Sequence, residues 1–451
     1  MNNMRRVSQV VFAASLTLLA GHSAMAAGLL DAYLAAQRND PTLRAARFER
    51  EAGQLARPIA RAGLLPNVSL SSSRSTNSGD RSLAPGLPRQ PLDYRSAQDV
   101  LSLRQPLFNY ESYVRYQQGG VQAEYSDAVF NRKEGELAVR LALAYFDLLL
   151  AGEKLAFSDA EVVSLTDQVK LAQRRNTAGE GTLTEIAESG ARLAIAEASR
   201  ADALDQMAVA RRALEDMTGQ PVAELWVLKK SFVPVSVVPD NVDDWIAQAL
   251  DKSPEIIAQR KLLDSATLDV DRNRAGHMPR VDFVASLSKT DSESLNTLNQ
   301  RASVRSLGVQ LTVPLFAGFG VTAQTEQAVA NRERAAAELD ATTGKVQLEV
   351  RRWFLAARTG ITKVQAYTRA VDASMVAVEG SRRGMSAGIR TNTDVLDAQR
   401  TLYSALRDRA QARYEFLTST LRLKAAAGTL TNQDIAGTDL LLEPGIAASA
   451  R

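Results

Sequence analysis

The sequence has no cysteine, only two histidines, and no apolar run beyond its N-terminal segment long enough to cross a bilayer as a helix. Without cysteine there is no disulfide framework, no thiol nucleophile, no thiolate metal site and no residue for a lipid anchor. One or two histidines do not supply a convincing Ser-His arrangement or metal-ligand spacing, so no catalytic or metal constellation is expected. An excess of one charge is missing too, with 54 Lys and Arg against 51 Asp and Glu. That balance argues against a nucleic-acid partner. If the chain spans a membrane, it must do so as a closed β-barrel.

What is present looks folded: 45% hydrophobic and 23% charged residues exclude a disordered chain. The first segment has the form of a secretory leader. Arg5 and Arg6 precede an apolar stretch from Val10 to Ala20, and Ala24-Met25-Ala26 forms a small-x-small cleavage word. Cleavage after Ala26 is expected, giving a leader over 1–26. Its loss removes Arg5, Arg6 and His22 and leaves His277, just ahead of a strand pattern, as the one histidine.

The rest of the chain is written twice. Asn176-Thr177-Ala178-Gly179-Glu180-Gly181-Thr182 matches Met385-Ser386-Ala387-Gly388-Ile389-Arg390-Thr391 at a spacing of 209 residues. Gly179 and Gly388 suit the positive φ that ends a helix, and Thr182 and Thr391 suit the N-cap of the next. Glu185 then corresponds to Asp394, and Glu188 to Asp397. Asp40-Pro41 corresponds to Ser253-Pro254, and Leu65-Pro66 to Met278-Pro279. The first repeat is placed at 27–218 and the second at 244–428. Turns fall at 177–182 and 386–391, a linker at 219–243, and a tail at 429–451.

Within each repeat the periodicity predicts helices over Leu29–Asn39 and Pro41–Leu65, broken at the proline. Alternation at Asn67–Ser72, Tyr94–Leu103, Val281–Leu287 and Ser303–Val313 predicts four strands with one apolar face, in hairpins over 66–105 and 279–314. Ser78–Pro91 and Thr290–Ala302 read as exposed hairpin loops, and Gly219–Asn241 and Gly428–Arg451 as irregular. Tyr110–Asn176 and Gly318–Met385 predict helices about 100 Å long at the α-helical rise. The shorter helices, Thr182–Thr218 and Thr391–Ala427, pair with them. Four strands cannot close a spanning barrel, which needs about eight or more, and an open edge cannot face lipid. Either several subunits share one barrel, or the strands form a sandwich with one wet face.

The words Asn39-Asp40-Pro41, Leu65-Pro66, Pro106-Leu107-Phe108, Ala144-Tyr145-Phe146, Pro314-Leu315-Phe316 and Ala387 to Ala398, in tandem order, resemble the TolC family of outer-membrane ducts. The resemblance covers nearly all of the chain beyond the leader. It implies a mainly α protein with a membrane β-barrel: a long α-helical barrel continuing into a twelve-stranded β-barrel shared by a homotrimer. It also implies an outer-membrane location reaching into the periplasm. The partners would be outer-membrane lipid, a periplasmic adaptor and an inner-membrane ABC or RND transporter. It gives no cofactor and no enzymatic activity.

By the same resemblance Arg390, Thr184, Glu185, Asp394 and Asp397 form a periplasmic gate, and Glu188, about one turn beyond Glu185 on the same face, joins them. Met385 stands where a tyrosine would add a hydrogen bond, and Glu185 replaces an aspartate. Four carboxylates per chain around a narrow mouth repel, so some of their pKa values should rise. A simpler reading makes Thr182 to Glu185 a capping box and Asp394 a first-turn acid. Ala178, Gly179, Ala387 and Gly388 are candidate adaptor contacts, or helix caps alone. Phe108 and Phe316 suit a membrane-edge girdle, or a staple at the strand–helix junction. Gly318-Phe319-Gly320 lacks the rest of a nucleotide fingerprint. The function expected is the exit duct of a type I protein secretion system. The alternatives are the duct of a drug or ion efflux pump, and a coiled-coil envelope scaffold without a pore.

Overall fold

The computed structural model describes residues 28–82, 85–86, 88–222, 225–293 and 300–445. The leader and its cleavage after Ala26 lie outside the described residues, as do parts of both hairpin loops and the end of the tail. The chain divides into two compact units. One holds 1–44, 134–248 and 349–451, the other 45–133 and 249–348. The divisions fall inside helices.

Helix α1 (Leu29–Asn39) stops where Pro41 forces Asp40 into an extended conformation. Asp40 then starts α2 (Pro41–Gln54): its Oδ1 accepts the Leu43 N–H at 2.8 Å, and its Oδ2 accepts from Arg140 at 2.6 Å. The second repeat begins alike, with α6 (Val242–Lys252), an extended Ser253 and α7 (Pro254–Arg274).

One expectation fails here. Residues 41–65 are not one helix but α2 and α3 (Ala56–Ala62), separated by a turn at Leu55. Pro58 is the cause. It has no N–H for the Gln54 carbonyl, and its ring crowds that oxygen. No proline interrupts α7 after its first residue, and α7 runs 21 residues.

The second unit carries a four-stranded antiparallel sheet in the order β1 (Asn67–Arg81), β2 (Gln90–Phe108), β4 (Arg280–Ser292), β5 (Gln300–Thr312). β1 and β5 are its edges. The strands are longer than the alternation suggests, because polar residues pair as readily as apolar ones in the ladder. Asp80 opposes Pro91 and Ser292 opposes Gln300, so the hairpin loops are shorter than Ser78–Pro91 and Thr290–Ala302. β2 runs through Pro106-Leu107-Phe108 with a bulge, whereas Pro314-Leu315-Phe316 lies beyond β5. Helices α3, α4 (Tyr110–Thr177), α7 and α8 (Gly320–Ser386) all join the sheet at the end away from the hairpin loops.

In the first unit the middle of α4 supplies the core. Tyr145 and Phe146 are almost fully buried, each side chain contributing about 1.5–3 kcal/mol in burial. Tyr145 donates to the Trp226 carbonyl at 3.0 Å, and the Phe146 ring meets Tyr414 of α9 (Asn392–Ala426) at 5.9 Å. The linker and tail, expected to be irregular, each carry short regular elements among their described residues, and these build structure together. The linker strand β3 (Trp226–Leu228) pairs antiparallel with the tail strand β6 (Leu442–Pro444). α10 (Asn432–Asp439) packs on α1, and Asp439 accepts the Leu29 N–H at 2.6 Å. Helix α5 (Leu183–Thr218) completes the unit.

Candidate functional site

The two turns are built alike, atom for atom along the backbone. In the first, the Glu180 and Gly181 N–H groups both donate to the Arg175 carbonyl, at 2.9 and 3.1 Å. In the second, Ile389 and Arg390 both donate to Gly384, at 2.9 and 3.1 Å. Gly179 and Gly388 have φ of 78° and 73°, as the sequence requires of them. A Cβ on either would meet nothing within 4 Å, so both turns present open backbone. Ala178 and Ala387 beside them are exposed.

The caps differ. Thr391 and Asp394 form a reciprocal capping box: the hydroxyl accepts the Asp394 N–H at 3.2 Å, and Asp394 Oδ2 accepts from the Thr391 N–H and hydroxyl, both at 2.8 Å. Those hydrogen bonds, with Arg390 nearby, hold the Asp394 carboxyl below its ordinary value. At the first turn Thr182 accepts the Glu185 N–H at 3.2 Å. Glu185 does not complete the box; its Oε2 is buried with no hydrogen-bond partner. Its arm is one methylene longer than that of Asp394.

The carboxylates one turn further along meet across the two helices. Arg192 of α5 donates to Asp397 of α9 at 2.8 Å and lies 3.4 Å from Glu188. Glu188 also accepts from the Thr393 hydroxyl at 3.0 Å, and Asn392 donates to the buried Ser189 hydroxyl at 3.0 Å. Below them Leu165, Ala196 and Leu396 form a small apolar core joining α4, α5 and α9. An open groove of about 630 Å³ beside it is lined by Glu161, Arg192, Gln399 and Arg407 among others.

Arg390 makes a loose ion pair with Asp394 at 3.7 Å; within its own chain it forms no ion pair with Glu185 and no hydrogen bond with Thr184. Thr184 is exposed. The cation that draws Glu188 and Asp397 together is Arg192, which the repeat arithmetic overlooks because Thr401 stands at its counterpart. The available signal was the Glu188–Arg192 spacing of one helical turn.

The sheet is two-faced. One face carries Ser69, Ser102, Ser286 and Ser306 in a row across all four strands. On the other, Val68, Leu103, Ala285 and Leu307 form a row, with Leu70, Leu101 and Leu287 next to it. Leu70, Leu307, Val309 and Leu311 are largely exposed. At the helix end, Phe316 and Phe319 stack edge-on at 5.4 Å, both three-quarters exposed, and Phe108 is about half exposed. Phe319 has φ of 63°, a conformation a bulky side chain rarely adopts. Among the described residues there is no cluster of His, Cys, Asp or Glu suited to a metal, and no helix apolar enough to cross a membrane.

Residues 32–220 and 245–429 match the family described as Outer membrane efflux protein. The chain belongs to that family. The likeness to TolC read from its motifs stands with it. Membership makes it an outer-membrane protein of the efflux class and not an enzyme. The chain is 37% identical over 436 residues to the alkaline protease secretion protein AprF of Pseudomonas aeruginosa, covering 96% of this chain and 90% of that one. It is 37% identical over 428 residues to the proteases secretion protein PrtF of Dickeya chrysanthemi, covering 92% and 91%. The fold is that of the CmeC outer membrane channel of Campylobacter jejuni, with a TM-score of 0.76 at 17% identity, covering 92% of this chain and 90% of that chain.

Proposed function

We propose that this family member is the outer-membrane exit duct of a type I protein secretion system. The observation that carries the reading is its 37% identity, over nearly its whole length, to two protease secretion proteins. Three copies share one barrel. β1 and β5 each leave an edge unpaired, and a lipid-facing sheet cannot keep open edges. Pairing β5 of one copy with β1 of the next closes twelve strands, serine face inward and apolar face to lipid. Phe108, Phe316 and Phe319 sit at the membrane edge. The linker strand β3, the tail helix α10 and the tail strand β6 form part of a belt around the helices.

The two turns are the periplasmic mouth. Arg390 reaches Thr184 or Glu185 of a neighbouring copy, Asp394 and Asp397 line the opening, and Arg192 ties α5 to α9 within each copy. Ala178, Gly179, Ala387 and Gly388 receive the periplasmic adaptor, which joins the duct to an inner-membrane ABC transporter. The test is reconstitution. Co-expressed with a type I adaptor and ABC transporter in cells lacking their own duct, the protein should restore export of a protein substrate. Purified, it should run as a trimer and conduct ions in bilayers. A monomer that neither conducts nor restores export overturns the reading.

A further inference from the structure

The apolar face of the sheet ends abruptly, at one level on three strands and one row earlier on the fourth. Its last apolar row is Leu70, Leu101 and Leu287, and the fourth strand already places Arg305 there, opposite Leu287. The next row is Ser72, Asp99, Lys289 and Ser303. One row further stand Arg74, Asp291 and Arg301. From Val281 to Leu287 the apolar rows span about 20 Å at the strand rise. Val313 and Leu315, both exposed, continue them toward the helices. That height fits the apolar band of an outer-membrane barrel, about 25 Å. The charged rows therefore lie at the headgroup level on the hairpin-loop side, which is the outer leaflet when the helices enter the periplasm.

The charges at this level do not cancel. Asp99 is held by Arg74 through two hydrogen bonds, at 2.9 and 3.1 Å, and also accepts from Ser72 at 2.7 Å. Arg301 and Asp291 pair at 2.9 Å. Lys289 and Arg305 are left as the surplus. They are exposed, on neighbouring strands of the same face, in adjacent rows two residues apart along the ladder. The backbone alternation that sends Leu287 and Leu307 outward sends both of them outward as well.

We propose that Lys289 and Arg305 form a binding site for the phosphate groups of outer-leaflet lipid A. Two cations at the edge of an apolar band suit a ligand with phosphates above acyl chains, and an arginine fork fits a phosphate in two-pronged fashion. The proposal rests on the barrel reading above.

The probes are bis-phosphorylated lipid A and its dephosphorylated form, offered to the assembled protein in detergent with heat dissociation of the oligomer as readout. The phosphorylated lipid should raise the dissociation midpoint of the wild type more than the dephosphorylated one, and added salt should erase the difference. Lys289→Ser with Arg305→Ser should weaken the phosphorylated lipid's effect by roughly fivefold per cation. The same variant should conduct like the wild type. A wild type that responds equally to both lipids overturns the site. So does a conducting double variant that still discriminates between them. A wild type that conducts in no lipid overturns the barrel reading and the site with it.

Discussion

Arg192 of α5 donates to Asp397 of α9 at 2.8 Å, and the same guanidinium lies 3.4 Å from Glu188 one turn earlier on its own helix. With Thr393 on Glu188 and Asn392 on Ser189, this ties the starts of two helices that follow different turns of one chain. Arg390 has only a 3.7 Å approach to Asp394, whose carboxylate is already committed to its capping box. A mouth that opens by parting α5 from α9 must break the Arg192 contacts.

Arg192→Ser should therefore raise mean single-channel conductance. A partly exposed ion pair contributes up to about 1 kcal/mol, which corresponds to about fivefold in the ratio of open to closed mouths per tie released. Arg390→Ser should also raise conductance if, as proposed, Arg390 reaches a neighbouring copy. If Arg192→Ser conducts like the wild type, α5 and α9 do not separate on opening.

If Asp394 and Asp397 line the mouth as proposed, it should bind multivalent cations. Asp394→Ala with Asp397→Ala is expected to abolish their block of current, measured as the concentration that halves conductance. Arg192→Ser should have the opposite effect, because it frees Asp397 and Glu188 from their cation. Unchanged block in the double alanine variant would place the constriction elsewhere on the helices.

Much of this was legible in the sequence, and the reason is local. Turns whose glycine must take positive φ, and helices capped by a threonine, leave fixed words; Gly179 and Gly388 sit where those words place them. The strands were legible only where apolar residues alternate. Their serine-rich outer halves carry no such signal, so the alternation predicts β1 over Asn67–Ser72, whereas the strand extends to Arg81. The break at Leu55 follows from Pro58, a local signal that the hydrophobic periodicity does not carry. β3 and β6 were missed for a different reason: each is three residues long and stable only because the other, more than 200 positions away, supplies its ladder. The failed capping box at Glu185 could not be read from the word Thr-x-x-Glu, which is satisfied there without the reciprocal bond.

The turns offer a test of docking that is separable from folding. Ala387→Trp and Ala178→Trp add bulk to exposed positions and should leave trimer formation intact while blocking export. Gly388→Val should cost roughly 1–2 kcal/mol through its positive φ alone, since no atom lies near its Cβ. It should loosen the turn locally without disturbing the sheet. Export at wild-type rate by both tryptophan variants would put the adaptor contact away from the turns.

The tail gives a pH prediction whose sign follows from its contacts. Asp434 on α10 accepts from Lys424 of α9 at 2.6 Å and from the Thr431 N–H and hydroxyl at 2.8 Å each. Burial pushes its carboxyl up, but the ammonium and the two donors outweigh burial and leave it below the ordinary value. A carboxyl lowered in the folded state contributes stability above its unfolded value, and that contribution is lost as pH falls through the lowered one. Asp439, at the other end of the same helix, goes the opposite way. Burial, reinforced by Asp31, raises it despite the hydrogen bonds from Leu29 and Leu30. Its ionisation opposes folding as pH rises from the ordinary carboxylate value through the raised one, so its protonation protects α10 in mild acid. Amide exchange in α10 should hence stay slow through mild acid and accelerate only below the ordinary carboxylate range, where Asp434 takes up its proton. Asp434→Asn should accelerate that exchange at neutral pH and remove most of the acid-side change. If exchange in α10 is instead independent of Asp434 at every pH, its anchoring lies in the β3–β6 pair and the packing on α1, and not in the ion pair to α9.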